Sequence, residues 1–484
     1  MKVLLINPPN TMEEVLGKAH MFVSELDPLG LLYIAAVLEQ NNYEVEVLDA
    51  FIDHLNLSRI LKEIEIRKPD VVGISCLTSN GVAVYEIGKM IKQNFDNIKV
   101  VLGNIHASIF SDVYLRDHCA DAVVHGEGEH TFLNIVRRYE KKENLSEIKG
   151  VSWWNGKQIV NNEPPELIQD LNALPMPARH LVASEKYSIG NLNNFIYVNR
   201  GKKELRQMFT SRGCVFSCLF CVVHKKYRTR SPQNVVDEIE HLVQHYNVGY
   251  IFIMDSLFIA DKKRVVEICK EILRRNINIK WGCEGHINII DKELLHWMEK
   301  AGCYEIHFGI ESGVQRLLDN VNKKTKLETI KTQIEMVKRE SSIKVAGLFM
   351  LGLPGETVED SKTTIKFATQ LPLDFAQFSI TVPYPGSKLF DNFVAEGKIN
   401  SGINADGSCD LNVWKRYSAH TGFSDNAPIY VPKAMTPEEL KRMEKLALRR
   451  FFLRPRMIVS QMKRIKFSNF YDVLKAFKAT FIDS

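Results

Sequence analysis

Three thiols fall within eight residues of this chain, Cys214-Val-Phe-Ser-Cys218-Leu-Phe-Cys221, separated by three and then two residues. A loop that short can turn its sulfurs toward one face of a metal centre. Soft thiolates select zinc, copper(I) or an iron–sulfur cluster. A structural zinc site wants four ligands, usually as two pairs, and no second Cys/His pair of zinc-like spacing follows. Three cysteines suit a 4Fe–4S cluster with one iron left open. An open iron can take up a substrate or cofactor, so the triplet points to chemistry rather than scaffolding.

The other six cysteines, Cys76, Cys119, Cys269, Cys283, Cys303 and Cys409, are scattered and mostly lie in apolar contexts. They read as buried free thiols, which fits a reducing cytoplasm and excludes a disulfide scaffold. The opening Met-Lys-Val-Leu-Leu-Ile-Asn-Pro-Pro is too short an apolar run for a signal peptide, and no run reaches the length of a membrane span. The net charge of +5 is local: residues 433–484 carry 13 Lys/Arg against 5 Asp/Glu. The basicity therefore belongs to the tail, and whole-chain charge gives no argument for nucleic-acid binding.

The first 143 residues alternate strand and helix. Lys2–Asn7 reads as a buried strand halted by Pro8-Pro9, and Leu29–Gln40 as a helix. Tyr43–Asp49, Val71–Cys76, Val100–Leu102 and Ala122–Val124 read as strands, with helices at Leu57–Arg67 and Val82–Asn94. The alternation predicts a parallel, doubly wound sheet with ligands at the carboxyl ends of its strands. Residues 144–200 form a linker: a hairpin turning at Asn155-Gly156, then an extended strap broken by prolines. From 201 to 387 the chain again repeats strand then helix, six times, which predicts a partial (β/α)6 barrel with chemistry at the strands' carboxyl ends. Residues 388–484 read as a mainly helical region. Its polar segment with Trp414, Tyr417 and His420 is expected over the barrel mouth as a substrate cap. Thr436 is expected to cap a helix. Beyond it, Phe451, Phe452 and Leu453 alternate with Arg449, Arg450, Arg454 and Arg456. Such a face can lie on an anionic membrane; packing of the aromatics on the barrel is the reading preferred.

The triplet, with Phe220 before its third thiol, resembles the signature of radical S-adenosylmethionine enzymes. Four further stretches match that family in order: Met254-Asp255-Ser256, Gly309-Ile310-Glu311-Ser312-Gly313, Gly352-Leu-Pro-Gly355-Glu356 and Pro383-Tyr384-Pro385-Gly386-Ser387. The resemblance implies a cluster held by Cys214, Cys218 and Cys221. It implies S-adenosylmethionine contacts from Phe220, Asp255, Glu311, Ser312, Gly352 and Gly355. One departure is Gly282-Cys283-Glu284-Gly285-His286, where many relatives place an arginine. The first domain resembles the cobalamin-binding domain that precedes many such cores. That likeness implies cobalamin contacts from Pro8, Ser75, Leu77, Gly103, Asn104, His106, Gly126 and Glu127. Asn104 stands where relatives carry a second glycine. The Asp-x-His-x-x-Gly motif that ligates cobalt elsewhere is absent.

The fold expected is thus α/β: a Rossmann-like cobalamin-binding domain (1–143), the linker, a radical barrel (201–387) and the helical C-terminal region. The expected reaction is methylation of an unactivated carbon. Oxidative cyclisation or rearrangement without methyl transfer, with the first domain empty of cobalamin, stays open. So does a non-catalytic cluster or cobalamin sensor, although the retained pocket residues argue against it. A small-molecule, lipid or peptide substrate and an electron donor such as flavodoxin or ferredoxin are implied. No nucleic-acid partner is expected.

Overall fold

The computed structural model describes residues 1–9, 26–187, 204–417 and 426–462. His420, expected in the substrate cap, and the basic tail beyond residue 462 lie outside these residues.

The first sheet grows from the apolar run at the start of the chain. In β1 (Lys2–Asn7) the four central residues are fully buried and alternate between two cores. Leu4 and Ile6 enter one, Val3 and Leu5 the other. A strand buried on both faces needs helices on both sides. Strands β2 (Glu44–Asp49), β3 (Val71–Ser75), β4 (Lys99–Gly103) and β5 (Ala122–Val124) follow in parallel, in the order β2-β1-β3-β4-β5. Helix α1 (Leu29–Gln40), α2 (Leu57–Arg67) and α3 (Gly81–Asn94) keep the expected spans to within a residue. Asn56 caps α2 through the Arg59 N–H at 3.0 Å.

Two features were not legible. The turn after β4 is followed by short helices α4 (Ile105–Ile109) and α5 (Ser111–Arg116), and β5 by α6 (Gly128–Glu140). The hairpin expected in the linker, β6 (Val151–Trp154) and β7 (Ile159–Asn161), pairs antiparallel with β5 and extends the first sheet to seven strands.

The second sheet has six parallel strands in chain order: β8 (Glu204–Met208), β11 (Val248–Ile253), β12 (Lys280–Gly285), β13 (Cys303–Glu311), β14 (Lys344–Leu351) and β15 (Phe375–Ile380). Its two edges do not pair, so the barrel is open. A two-stranded ribbon, β9 (Ser211–Arg212) with β10 (Arg228–Thr229), stands beside it. On β11, β12, β14 and β15 the core residues Ile253, Cys283, Phe349 and Phe378 are buried, whereas their neighbours Phe252, Met254, Glu284, Leu348, Met350, Gln377 and Ser379 are half-buried. The concave side is therefore an accessible lumen.

The C-terminal helix Pro437–Phe452 begins at a Thr436/Glu439 capping box. It packs Leu440, Met443, Ala447 and Phe451 into the barrel core, and Arg454 lies 3.9 Å over the Phe451 ring. The aromatics of the basic segment are thus used inside the protein. The cap expectation is corrected: Trp414 and Tyr417 are buried in the core of the first sheet, beside Phe110 and Phe390, because that core offers aromatic partners. Among the described residues no helix is long and apolar enough to cross a membrane.

Candidate functional site

The cysteine loop projects from the β9–β10 ribbon. Its neck closes at Gly213, with φ +88°, where an added Cβ would lie 2.2 Å from the Lys226 carbonyl oxygen. Only glycine tolerates that turn. The Cys214 N–H donates to His224 O at 2.9 Å, and Leu219 N–H to Val321 O at 3.0 Å. Asn322 Nδ2 donates to Ser217 O at 2.8 Å, and Phe216 stacks on His286 at 3.8 Å. Phe220 packs near Leu317, Val321 and Leu353. All three thiols are free; Cys214 and Cys218 are half-buried and Cys221 is exposed. Among the described residues no three His, Cys, Asp or Glu side chains converge closely enough for a single ion. Cys214 and Cys221 share the loop with Cys218 and lie close enough to act on its charge. Burial pushes the Cys218 and Cys221 thiols up, while Lys323 pulls both back.

Lys323 is the residue that sequence reasoning missed. Its Nζ lies 2.7 Å from Glu311 Oε1, and both side chains are buried. Burial opposes the Lys323 charge, but Glu311 and then the Cys218 thiol outweigh it and hold its pKa above the ordinary value. Glu311 itself has φ +64° at a bulge in β13. Gly309 makes room for the pair, since a Cβ there would sit 2.5 Å from Glu311 Oε1 and 2.7 Å from Lys323 Nζ. A compact cation beside the cysteine loop could have been sought in Asn322-Lys323-Lys324, yet nothing in that string says which lysine turns inward.

Two expected contacts turn away from this point. Asp255 is fully buried and accepts from the Thr210 N–H at 2.6 Å, Ser211 Oγ at 2.6 Å and Thr210 Oγ1. It braces the strand that leads into the cluster loop. Ser312 is buried against Thr364 Oγ1 at 3.1 Å. Gly352 and Gly355 keep positive φ, +82° and +78°, in the turn that ends β14. Glu356 closes that turn, accepting from the Leu353 N–H at 2.7 Å, and burial pushes its carboxyl up to about 7.

A cavity of about 360 Å³ joins the two sheets. Ser75, Gly103, Asn104, Gly126 and Glu127 line it from the first, and Phe209, Arg212, Gly213, Met254 and Ser256 from the barrel side. Its glycine-lined wall leaves open space beside the backbone: a Cβ on Gly30 would meet nothing within 4 Å, and one on Gly103 would touch only Val124, at 4.0 Å. Asn104 adopts φ +79°, ψ 173°, a region almost reserved for glycine. Its side chain is held by the Ile105 N–H and by Ser75 Oγ. The substitution therefore keeps glycine's backbone at the price of strain.

Three expected cobalamin contacts fall elsewhere. Leu77 is exposed and Pro8 buried, and neither lines the cavity. His106 is fully buried among Trp414 (4.3 Å), Phe110 (4.7 Å) and Tyr114 (6.2 Å), where burial pushes its pKa down to about 3. A larger surface groove of about 730 Å³ runs along α6. Its charges pair with one another, as Arg138 does with Glu143 and Lys149 with Glu166, and it lies away from the cysteines.

The B12 binding domain pattern matches residues 19–136 and the Radical SAM superfamily pattern residues 208–368. The chain is 32% identical to an uncharacterized methyltransferase of Pyrococcus horikoshii, over 95% of this chain and 94% of that one. It is 29% identical to the cytidylyl-2-hydroxyethylphosphonate methyltransferase of Streptomyces wedmorensis, over 82% of this chain and 83% of that one. It is also 29% identical to the anaerobic magnesium-protoporphyrin IX monomethyl ester cyclase of Cereibacter sphaeroides, over 88% and 67%. The fold is that of the radical S-adenosylmethionine methyltransferase TsrM from Kitasatospora setae, with TM-score 0.69, 18% identity and coverage of 97% of this chain and 90% of that one. With the cysteine loop, the glycine-lined cavity and both sequence patterns in one chain, the protein belongs to the cobalamin-binding radical S-adenosylmethionine enzymes.

Proposed function

We propose that this enzyme transfers a methyl group to an unactivated carbon of a small-molecule substrate. The observation that carries the reading is the cavity between the sheets: its cobalamin-domain wall and its cluster-loop wall face one space. Cys214, Cys218 and Cys221 would hold the 4Fe–4S cluster. When bound, the cluster with S-adenosylmethionine supplies a 5′-deoxyadenosyl radical, and cobalamin supplies a transferable methyl group.

The chain's own part is binding, orientation and water exclusion. The Lys323 ammonium suits the carboxylate of S-adenosylmethionine and the Glu311 carboxylate its amino group, so cofactor entry would exchange their mutual pair for two pairs of the same charge. The backbone of the Gly352–Gly355 turn suits the adenine. The lumen, with Glu284, Gln377 and Ser379 among Phe252, Leu348 and Met350, receives the substrate below. The electron comes from a small reductant such as flavodoxin or ferredoxin. Cyclisation is the second reading, motivated by the 29% identity to the cyclase.

Anaerobic reconstitution with cluster and cobalamin tests this. No histidine lines the cavity among the described residues, so one cobalt per chain with a five-coordinate, base-off spectrum is expected after desalting. 5′-Deoxyadenosine is expected to form on reduction. Cofactor cleavage without retained cobalt would sink methyl transfer and leave cyclisation.

A further inference from the structure

Glu127 was expected to contact cobalamin, yet its carboxylate is already filled. Arg228 grips it with both terminal nitrogens, Nη1 to Oε2 and Nη2 to Oε1, each at 2.8 Å. Arg212 Nη1 reaches Oε1 at 3.0 Å, and the Ile168 N–H donates to Oε2 at 2.7 Å. Arg212 also bonds Glu129 through Nη2. All four side chains are largely buried, Arg228 only 7% exposed.

The placement of these charges is specific. Arg212 and Arg228 are register partners across β9 and β10. They flank the neck from which the cysteine loop hangs. Glu127 and Glu129 follow β5, on the rim of the cobalamin-domain wall. Glu127, Glu129, Arg212 and Gly213 all line the same cavity. A third tie runs alongside, Lys226 Nζ to Gln169 Oε1 at 2.7 Å. Buried ion pairs add little net stability over apolar packing of the same shape. A bidentate guanidinium–carboxylate pair does fix direction and distance.

We infer that Glu127, Glu129, Arg212 and Arg228 form a clasp that positions the cluster loop against the rim of the cobalamin cavity and so sets the separation of the two cofactors. The inference rests on the cobalamin reading above. These are positioning residues: each carboxylate accepts from a guanidinium of the set. The two arginines grip the loop at its base, so a small rotation at the ribbon would move all three thiols together.

Spin–spin coupling between cob(II)alamin and the reduced cluster tests it, measured by electron paramagnetic resonance on the reconstituted full chain. Wild type is expected to show one narrow distribution of couplings. Arg228→Met is expected to keep full iron and cobalt content but to broaden that distribution, and to weaken cobalamin binding about ten-fold, near 1.4 kcal/mol. Arg228→Lys, which keeps the charge, should restore part of both. Lys338→Met breaks a comparable pair, with Asp374 at 2.8 Å, away from the cavity. It should lower stability and leave the coupling narrow. If Arg228→Met does not fold, Glu127→Gln removes the charge at unchanged shape and should broaden the coupling in its place. A narrow, wild-type coupling in the folded clasp variant overturns the inference, as does equal broadening in Lys338→Met. Wild type without cobalt overturns the cobalamin reading itself, and the clasp role with it.

Discussion

Glu356 and Lys323 show how position changes what a charged residue does. Burial pushes the Glu356 carboxyl from an ordinary 4.5 up to about 7. The native state thus keeps a proton that the unfolded chain has released between those values. Stability is therefore expected to fall as pH rises through that window, by up to about 1.4 kcal/mol per unit, and to level off above 7. Urea unfolding of Glu356→Gln at several pH values should show this decline removed; an unchanged slope would refute the assignment. For Lys323, a role in seating S-adenosylmethionine predicts that Lys323→Met keeps the cluster absorbance but loses 5′-deoxyadenosine formation by about ten- to a hundred-fold, since a lost charge-assisted hydrogen bond to the cofactor's carboxylate costs about 1.5–3 kcal/mol. Full cleavage by the variant would remove Lys323 from the site.

At the scale of elements, the cysteine loop depends on its neck. Gly213 combines positive φ with a carbonyl 2.2 Å from where a Cβ would stand. Gly213→Ala is expected to cost at least about 1–3 kcal/mol in backbone strain. The strain falls on the loop and not on either sheet, so iron content should drop well before the thermal midpoint does. Iron assay beside a melting curve checks this; normal iron loading would mean the neck can relax. The motif's spacing was legible in the sequence because cluster chemistry demands it. The clasp that braces the same loop was not, because Glu127 and Arg228 are 101 residues apart and nothing local pairs them.

Across the whole molecule, the two sheets are joined by a second buried network. Arg179, from the strap, meets Asp27 beside α1, Glu238 at 3.0 Å on the helix Pro232–His245, and the Gln207 carbonyl at 2.8 Å. Arg230 completes the set by pairing with Glu238. Arg179→Met leaves Asp27 short of its cation and should destabilise the protein by about 3–5 kcal/mol. Denaturant unfolding followed by two probes, one on each sheet, would read it. A loss below about 1 kcal/mol would mean that water replaces the guanidinium.

The sequence by itself determined most of the strands, the longer helices of the barrel and the cofactor chemistry. Apolar runs in β1 and β3, helical periodicity at Leu57–Arg67 and the Cys214–Cys221 spacing are local constraints, each imposed by backbone geometry or ligand number. Tertiary structure alone decided which polar residues are free. Asp255, Ser312, Glu127 and His106 all belong to matched motifs, yet folding spends the first three on hydrogen bonds and seals the fourth among aromatics. Lys323, in no motif, is turned inward beside the thiols. For the bonded residues the physical reason is that a buried polar group is stabilised by a partner wherever the fold supplies one, and that partner is chosen by contacts between residues far apart in the chain.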